Sequence, residues 1–394
     1  MASDAHGPHE LGIVIAVPTD LPPHPIGTLP APVRLLRQLR AAGATGPAWL
    51  VVDGDARARE WAEPARHEGA VALGVDEISP ALSRERAAGW LCASGDLVLS
   101  GEGLADALDA ASPGDRTELP DGDPAWVIAP AVLDGVSTWA AARCAGESTM
   151  PDADLTRRLP VQRYAGRVRD EVSARDLDHA VMGNLGHDHE PNFARLSGRH
   201  LSRVLSRPLA RWGIAPNTVT LMATAVGLTA ALCLGAGTYG WTLGGALLLV
   251  LSRLLDDADG EVARMTIRQT EFGARLDVAS DLVVHASVFL GLALGLHRAD
   301  PTGGHLLALA LLLGGAAVTT AIVLGVVTGT TLPQESRLLR LLETGASGDF
   351  AYVFLPFALL GWTHVFLWAA AIGAQAYWLL LLGVVIRLRR RTAP

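Results

Sequence analysis

The feature that most constrains this chain is a series of long apolar runs that begins at residue 216. We count six such runs, at roughly 216–236, 240–258, 275–297, 304–328, 349–364 and 366–387. A helix needs about 20 apolar residues to cross the hydrocarbon core of a bilayer. The sequence therefore predicts an α-helical integral membrane domain with six transmembrane helices.

The residues before these runs have a different composition. Residues 1–190 hold 29 acidic side chains and 16 arginines, a net charge of −13, whereas residues 191–394 hold 11 and 16, a net charge of +5. The chain contains no lysine, which excludes every mechanism that depends on one. An acidic, soluble domain is therefore predicted to precede a basic membrane domain.

Short β-like runs alternate with helical stretches in the first domain, residues 1–182. Strands are predicted at 11–17, 48–52, 96–99 and 126–128, and helices at 32–42 and 81–93. This alternation favours a largely parallel α/β sheet. Residues 183–191 are predicted to form a linker, and residues 192–394 a juxtamembrane helix followed by the six-helix membrane domain.

Arginine is concentrated on one side of the six-span arrangement. Every fourth residue from 195 to 211 is arginine, which would give a helix a basic stripe suited to anionic membrane lipids; a solvated basic face is the alternative. Of the 16 arginines after residue 190, 15 lie on the side of both termini. Because positively charged loops stay in the cytoplasm, we predict a multi-pass protein of the cell (plasma) membrane with cytoplasmic N- and C-termini.

Four carboxylates lie where the second run ends and the third begins. At 100° per residue, Asp256 and Asp259 share one face of a helix, and Asp277 and Asp281 share a face of the next. Carboxylates in a membrane are costly and repel one another unless cations lie between them. Oxygen ligands without histidine or cysteine suit Mg²⁺, Mn²⁺ or Ca²⁺. Acidic clusters also occur in ion transporters, so a cation transporter is an alternative.

The same segment resembles the signature of the CDP-alcohol phosphotransferases. That signature reads Asp, two residues, Asp-Gly, two residues, Ala-Arg, eight residues, Gly, three residues, Asp, three residues, Asp, and all eight fixed positions are filled here. The sequence P-N-T-V-T at 216–220 also resembles the usual start of the family's first span. The resemblance covers about residues 192–390. It implies transfer of a substituted phosphate from a CDP-alcohol to an acceptor hydroxyl, with release of CMP, in phospholipid synthesis.

The resemblance also implies roles for individual residues and partners. Asp256, Asp259 and Asp277 would bind two Mg²⁺ or Mn²⁺ ions, with Asp281 sharing ligation or acting as the general base. The nucleotide pocket would be lined by Gly260, Ala263, Arg264 and Gly273. A small polar or phosphorylated acceptor could be bound by Arg337 and Arg340, although a solvated helix face is the alternative for both arginines. CDP-diacylglycerol is the first expected donor and CDP-inositol the alternative; a homodimer is possible, and no nucleic-acid partner is expected.

A soluble α/β domain ahead of such a membrane domain resembles the layout of bifunctional inositol-phosphate cytidylyltransferase and di-inositol-phosphate-phosphate synthase. Nucleotidyltransferases open with a glycine-rich loop that carries an arginine and then a lysine. This chain has V-P-T-D-L-P-P-H-P-I-G-T-L-P there, without a glycine run or a lysine. Asp96 could take the place of a metal-binding aspartate or be a turn residue. We expect a nucleotidyltransferase-like domain that has lost activity; an active cytidylyltransferase is the alternative.

Overall fold

The computed structural model describes residues 11–22, 24–84, 87, 89–101, 104–110, 115–118, 124–129, 134–147, 155–158, 165–183, 202, 204–329 and 350–392. Contacts divide the chain into two compact units, Met1–Leu185 with Arg264–Ile267, and Gly186–Ala263 with Arg268–Pro394. The first unit is an α/β unit and the second is helical.

The α/β unit is built on a mixed sheet with the strand order β3-β2-β1-β4-β7-β6-β8, and a second sheet pairs β5 with β9. Its strands are β1 Leu11–Ala16, β2 Ala48–Val52, β3 Val71–Gly74, β4 Gly89–Ser94, β5 Leu97–Leu99, β6 Asp115–Glu118, β7 Pro124–Ala129, β8 Leu155–Arg158 and β9 Ala165–Arg167. Its helices are α1 Ala31–Ala41, α2 Asp55–His67, α3 Ile78–Arg84, α4 Leu104–Asp109, α5 Asp134–Cys144 and α6 Glu171–Gly183. Among the described strands of the large sheet, only β7 runs antiparallel to its neighbours, so the predicted largely parallel sheet is confirmed.

The central strand β1 is buried along its whole length. Ile13 and Ile15 pack in a hydrophobic cluster that includes residues of α1, whereas Val14 and Ala16 belong to a second cluster that includes residues of α5. Since successive side chains of a strand point to opposite faces, the sheet has an apolar core on each side. This is why β1 reads as a continuous apolar run rather than an alternating one.

One predicted helix is wrong. Residues 81–93 were predicted to form a single helix, but α3 ends at Arg84 and Gly89–Ser94 is the strand β4. β4 pairs with β1 in parallel, and Trp90 is only 1% exposed. A Cβ atom on Gly12 would lie 2.1 Å from the Trp90 ring, so the glycine in β1 makes room for this side chain. A short apolar run fits a helix or a strand equally well, and pairing with β1 decides in favour of the strand.

Among its described residues, the second unit consists of helices joined by short turns. Its helices are α7 at residues 204–211, α8 Pro216–Gly235, α9 Tyr239–Thr266, α10 Glu271–Ala299, α11 His305–Gly329, α12 Phe350–Leu359 and α13 Thr363–Thr392. Four segments have the length and hydropathy to cross a membrane, namely Pro216–Gly235, Glu271–Ala299, His305–Ile322 and Thr363–Gly383. The described helices therefore support a multi-pass membrane protein, while the count of six spans stays a prediction.

The two remaining predicted spans correspond to α9 and α12. The helix α9 has 28 residues but carries the acidic segment in its second half. The helix α12 has 10 residues and is therefore about 15 Å long, roughly half the thickness of the hydrocarbon core. Neither helix meets the criteria for a span.

The helices that carry the acidic segment are packed closely against α8. A Cβ atom on Gly291 of α10 would lie 2.2 Å from the carbonyl oxygen of Ala231, and one on Gly295 would lie 2.1 Å from that of Leu234. The backbones of α8 and α10 are therefore in contact, as small residues allow in membrane helices. The hydroxyl of Ser252 on α9 donates to the carbonyl oxygen of Ala223 on α8 at 2.8 Å.

A buried carboxylate fixes α7 to α9. Glu261 of α9 is 6% exposed. It accepts a hydrogen bond from the hydroxyl of Ser202 at 2.9 Å and a shorter one from the hydroxyl of Ser206 in α7. The predicted basic helix before the first span is thus present at residues 204–211, and its first three predicted arginines, 195, 199 and 203, lie outside the described residues.

Candidate metal centre

Three of the four predicted carboxylates converge. One oxygen atom from each of Asp256, Asp259 and Asp277 lies within 4.8 Å of the other two. Oxygen ligands about 2.0–2.6 Å from a shared Mg²⁺ or Ca²⁺ ion can be at most about 4–5 Å apart. The spacing and the exclusively carboxylate ligands therefore fit a hard divalent cation.

The position of Asp259 is fixed by a residue of α8. Asp259 is 7% exposed, and its Oδ2 atom accepts a hydrogen bond from the hydroxyl of Thr220 at 2.5 Å. The Thr220 hydroxyl also lies 3.3 Å from the carbonyl oxygen of Pro216. Thr220 is the last residue of the P-N-T-V-T sequence, which sequence reasoning connected only with the start of a helix. The structure gives it a direct contact with the acidic cluster.

Asp281 lies one helical turn beyond Asp277 on α10 and is not part of the converging set. It is half-buried and instead lines a cavity of about 30 Å³ together with Asp256. The wall of this cavity includes several further polar residues, namely Thr224, Ser252, Arg253, Ser280 and His285. This cavity, whose wall also contains apolar side chains such as Leu249 and Phe350, provides space next to Asp281 for a small group.

Sequence reasoning missed two charged or titratable residues of this cavity. Arg253 of α9 contacts Asp256 through Nη1 and donates from Nη2 to Oδ1 of Asp257 at 2.7 Å. His285 lies four residues after Asp281, and its ring centroid is 5.0 Å from that of Phe350. A helical spacing of three or four residues from a motif aspartate was the available signal for both.

The residues predicted to line the nucleotide pocket lie at the end of α9 and the start of α10. Gly260, Ala263 and Arg264 are half-buried in α9. The backbone N–H of Gly273 donates to the hydroxyl of Thr270, the N-cap of α10, at 3.0 Å. A Cβ atom at Gly273 would lie 2.9 Å from Oδ1 of Asn217, so a larger residue would be crowded there. The predicted acceptor residues, Arg337 and Arg340, lie outside the described residues.

In the α/β unit, the candidate metal residue Asp96 is held by two arginines. Asp96 is 4% exposed, its Oδ2 accepts from Arg143 and its Oδ1 from Arg167, each at 2.6 Å. Arg143 also donates from Nε to the hydroxyl of Ser94 at 2.6 Å. Among the described residues of this unit, no three acidic, histidine or cysteine side chains come together as metal ligands.

Comparisons with known proteins place the helical unit in a family. The profile of the CDP-alcohol phosphatidyltransferase family matches residues 213–386. The phosphatidylinositol phosphate synthase of Mycolicibacterium smegmatis is 30% identical over 190 residues, which are 44% of this chain and 78% of that protein.

Two further relatives align over shorter stretches. The phosphatidylinositol phosphate synthase of Mycobacteroides abscessus is 38% identical over 93 residues, 23% of this chain and 41% of that protein. The bifunctional IPC transferase and DIPP synthase of Aquifex aeolicus is 35% identical over 101 residues, 25% of this chain and 23% of that protein. These two alignments span less than half of each relative. The profile match and the longer alignment nevertheless show that this chain belongs to the CDP-alcohol phosphatidyltransferase family, a family of transferases.

Proposed function

We propose that this chain transfers a substituted phosphate from a CDP-alcohol to the hydroxyl of a small polar acceptor and releases CMP. The observation that carries the proposal is the convergence of Asp256, Asp259 and Asp277 within 4.8 Å. All three are positions of the signature by which the chain resembles its family. CDP-diacylglycerol is the first donor to test, since two relatives are named for the synthesis of a phosphatidyl lipid.

The converging carboxylates would hold divalent ions, Mg²⁺ or Mn²⁺. Two bound ions would offset the negative charge of the donor's diphosphate and of the leaving CMP. Asp281, which lines the cavity together with Asp256, would share in ligation or act as the general base.

The chain's own residues bind and orient the two substrates in this proposal. Asp281 takes the proton of the acceptor hydroxyl, whose oxygen then bonds to the phosphorus attached to the alcohol, while the bond from that phosphorus to the CMP oxygen breaks. The nucleotide is bound by small residues and an arginine near the junction of α9 and α10, namely Gly260, Ala263, Arg264 and Gly273. The small residues leave room for the nucleotide, and Arg264 offers two parallel donors to a phosphate.

The acceptor is proposed to enter the cavity beside Asp281. The side chains of Arg253 and His285 in its wall could form hydrogen bonds with a hydrophilic acceptor. The relatives' names make inositol phosphate the first acceptor to test. Arg337 and Arg340 stay candidates for binding a phosphate on the acceptor. CDP-inositol is the alternative donor, in keeping with the DIPP synthase relative.

We further propose six spans in the plasma membrane with both termini in the cytoplasm, and a homodimer formed through the membrane helices. The arginine distribution supports this orientation. Cysteines placed singly at the two ends of α11 and labelled from outside intact cells would test it.

For the α/β unit we propose a nucleotidyltransferase-like domain without activity that serves docking or regulation. The unit has an α/β sheet whose strand order reverses between β1 and β4, and ligands of such sheets bind at this reversal. Asp96 follows β4 there, but two guanidinium groups bind its two oxygens. Incubation of the full chain with CTP and polyol phosphates should release no pyrophosphate; release would show an active cytidylyltransferase.

The reaction is tested by a donor-by-acceptor screen on the purified full-length protein, with CMP as the measured product. CMP should appear with Mg²⁺ or Mn²⁺ and disappear after chelation. Asp281→Asn should abolish turnover while the protein still folds. Asp300→Asn is the matched control, because Asp300 is exposed in the turn after α10. Cation flux across vesicles without any CDP compound would favour the transporter alternative, and CMP release that continues in chelator would contradict the proposal.

A further inference from the structure

A positively charged side chain lies among the carboxylates of the candidate metal centre. The guanidinium group of Arg253 bridges two neighbouring residues of the same helix, contacting Asp256 through Nη1 and binding Asp257 through Nη2 at 2.7 Å. The exposed fraction of the side chain is 23% for Arg253, 14% for Asp256 and 29% for Asp257. Neither Arg253 nor Asp257 occupies a position of the family signature.

The charge of Arg253 has two opposite effects on this centre. Three carboxylates within 4.8 Å of one another repel, and a guanidinium in contact with one of them offsets part of that repulsion. The same positive charge repels a divalent cation that approaches Asp256. Arg253 should therefore stabilise the protein without metal and weaken the binding of the metal.

Asp257 reduces the repulsion between Arg253 and a divalent cation at Asp256. It lies 100° around α9 from Asp256, so it holds one arm of the guanidinium on a different face of the helix. Its negative charge also offsets that of Arg253. A carboxylate oxygen has two lone pairs, so Asp256 can keep its contact with Arg253 and still offer an oxygen to a metal.

We propose that Arg253 is the internal counter-ion of the carboxylate cluster when no metal is bound. In this arrangement Asp257 is a positioning residue that restrains Arg253 so that Asp256 stays available to the metal. The inference rests on the proposed function, since it assumes that Asp256 binds a divalent ion.

The test measures Mn²⁺ binding to the purified full-length protein in detergent by electron paramagnetic resonance, without substrate or turnover. A unit charge and a divalent ion about 6 Å apart in water interact with an energy that corresponds to roughly a tenfold change in affinity. Arg253→Gln should therefore lower the Kd for Mn²⁺ by about tenfold. Asp257→Asn should raise the Kd, because Asp257 then no longer draws the guanidinium group of Arg253 away from Asp256.

Thermal stability gives a second readout. In chelator, Arg253→Gln should melt at a lower temperature than the unaltered protein, and saturating Mn²⁺ should remove the difference. Arg275→Gln is the matched control, because Arg275 is exposed and pairs with Glu271 at 3.4 Å at the start of α10. Its Kd for Mn²⁺ and its melting temperature in chelator should both stay close to those of the unaltered protein.

The outcomes separate this inference from the proposed function. Binding of Mn²⁺ that is abolished by Asp259→Asn supports the metal centre. If Arg253→Gln and Asp257→Asn then shift the Kd in the same direction, or do not shift it, the counter-ion role is overturned and the metal centre stands. If the unaltered protein does not bind Mn²⁺, the metal centre and the counter-ion role both fail. A lower Kd in Arg253→Gln together with a higher Kd in Asp257→Asn supports the inference, and opposite shifts in the reverse sense overturn it.

Discussion

The contact between the backbones of α8 and α10 makes one glycine of α10 especially sensitive to substitution. A methyl group at Gly291 would place its carbon 2.2 Å from the carbonyl oxygen of Ala231. Carbon and oxygen atoms in contact are normally about 3.3–3.6 Å apart. Gly291→Ala therefore requires the two helices to separate by about 1 Å, because neither partner is a flexible side chain.

The expected cost follows from this displacement. Overpacking of a closely packed site typically destabilises a protein by about 1–3 kcal/mol. Alanine favours a helix interior over glycine by about 1 kcal/mol, which offsets part of the cost. We expect Gly291→Ala to lower the free energy of unfolding by up to about 2 kcal/mol, measured as a lower melting temperature of the purified protein in detergent.

The matched control is Gly373→Ala in α13. A Cβ atom at Gly373 meets no other atom within 4 Å, so Gly373→Ala creates no steric clash. Because alanine favours a helix over glycine, the melting temperature should stay the same or rise. If Gly291→Ala melts at the same temperature as Gly373→Ala or above it, α8 and α10 do not approach as closely as described. The contact between α8 and α10 would then not position the carboxylates.

Three further substitutions test single contacts. Thr220→Val should destabilise the protein in chelator by about 1–3 kcal/mol, because the buried carboxylate of Asp259 loses its donor; Thr220→Ser should keep most of the stability, and equal losses in both would contradict this role. Glu261→Ala should speed trypsin cleavage after Arg211, the exposed last residue of α7, because two serine hydroxyls lose their shared acceptor; unchanged cleavage would show that α7 is held by other contacts. The backbone N–H of Ser173 donates to Asp170 before α6 and lowers the pKa of Asp170 below its usual value. This contribution to helix stability is complete at neutral pH and lost as the pH falls through the lowered pKa. The protection of the amides at the start of α6, measured as their exchange rate relative to the intrinsic rate at the same pH, should therefore fall on acidification. In Asp170→Ala this protection should already be low at neutral pH.

The sequence predicted the parts of the α/β unit whose patterns are local. The strands β1 and β2 are bounded apolar runs, and α1 follows a proline at its N-terminus and has the helical period. The run from Trp90 to Ala93 has no such local signal. Its conformation depends on the pairing with β1, which is remote in sequence, so the prediction of a helix there was wrong.

In the candidate metal centre, too, features that depend on local spacing were predictable and contacts between helices were not. The spacing of Asp256 and Asp259 places both on one face of a single helix, and this needs no knowledge of tertiary structure. The contact between Asp259 and Thr220 joins two helices and could not be predicted from spacing. The salt bridges of Arg253 follow from local spacing, but nothing in the sequence showed that its side chain lines a cavity with His285.

The distance between the carboxylates is set by residues that bear no charge. Asp259 belongs to α9 and Asp277 to α10, and both helices are held against α8, the first by Thr220 and the second through Gly291. A signature of aspartates specifies which side chains face inward, but it does not specify how far apart two helices lie. Because oxygens around one ion can be at most about 4–5 Å apart, a separation of α8 and α10 by about 1 Å would matter for metal binding as well as for stability. Gly291→Ala should therefore weaken Mn²⁺ binding although its site is remote from every ligand, and normal Mn²⁺ affinity in a destabilised Gly291→Ala protein would show that the carboxylates are positioned independently of this contact.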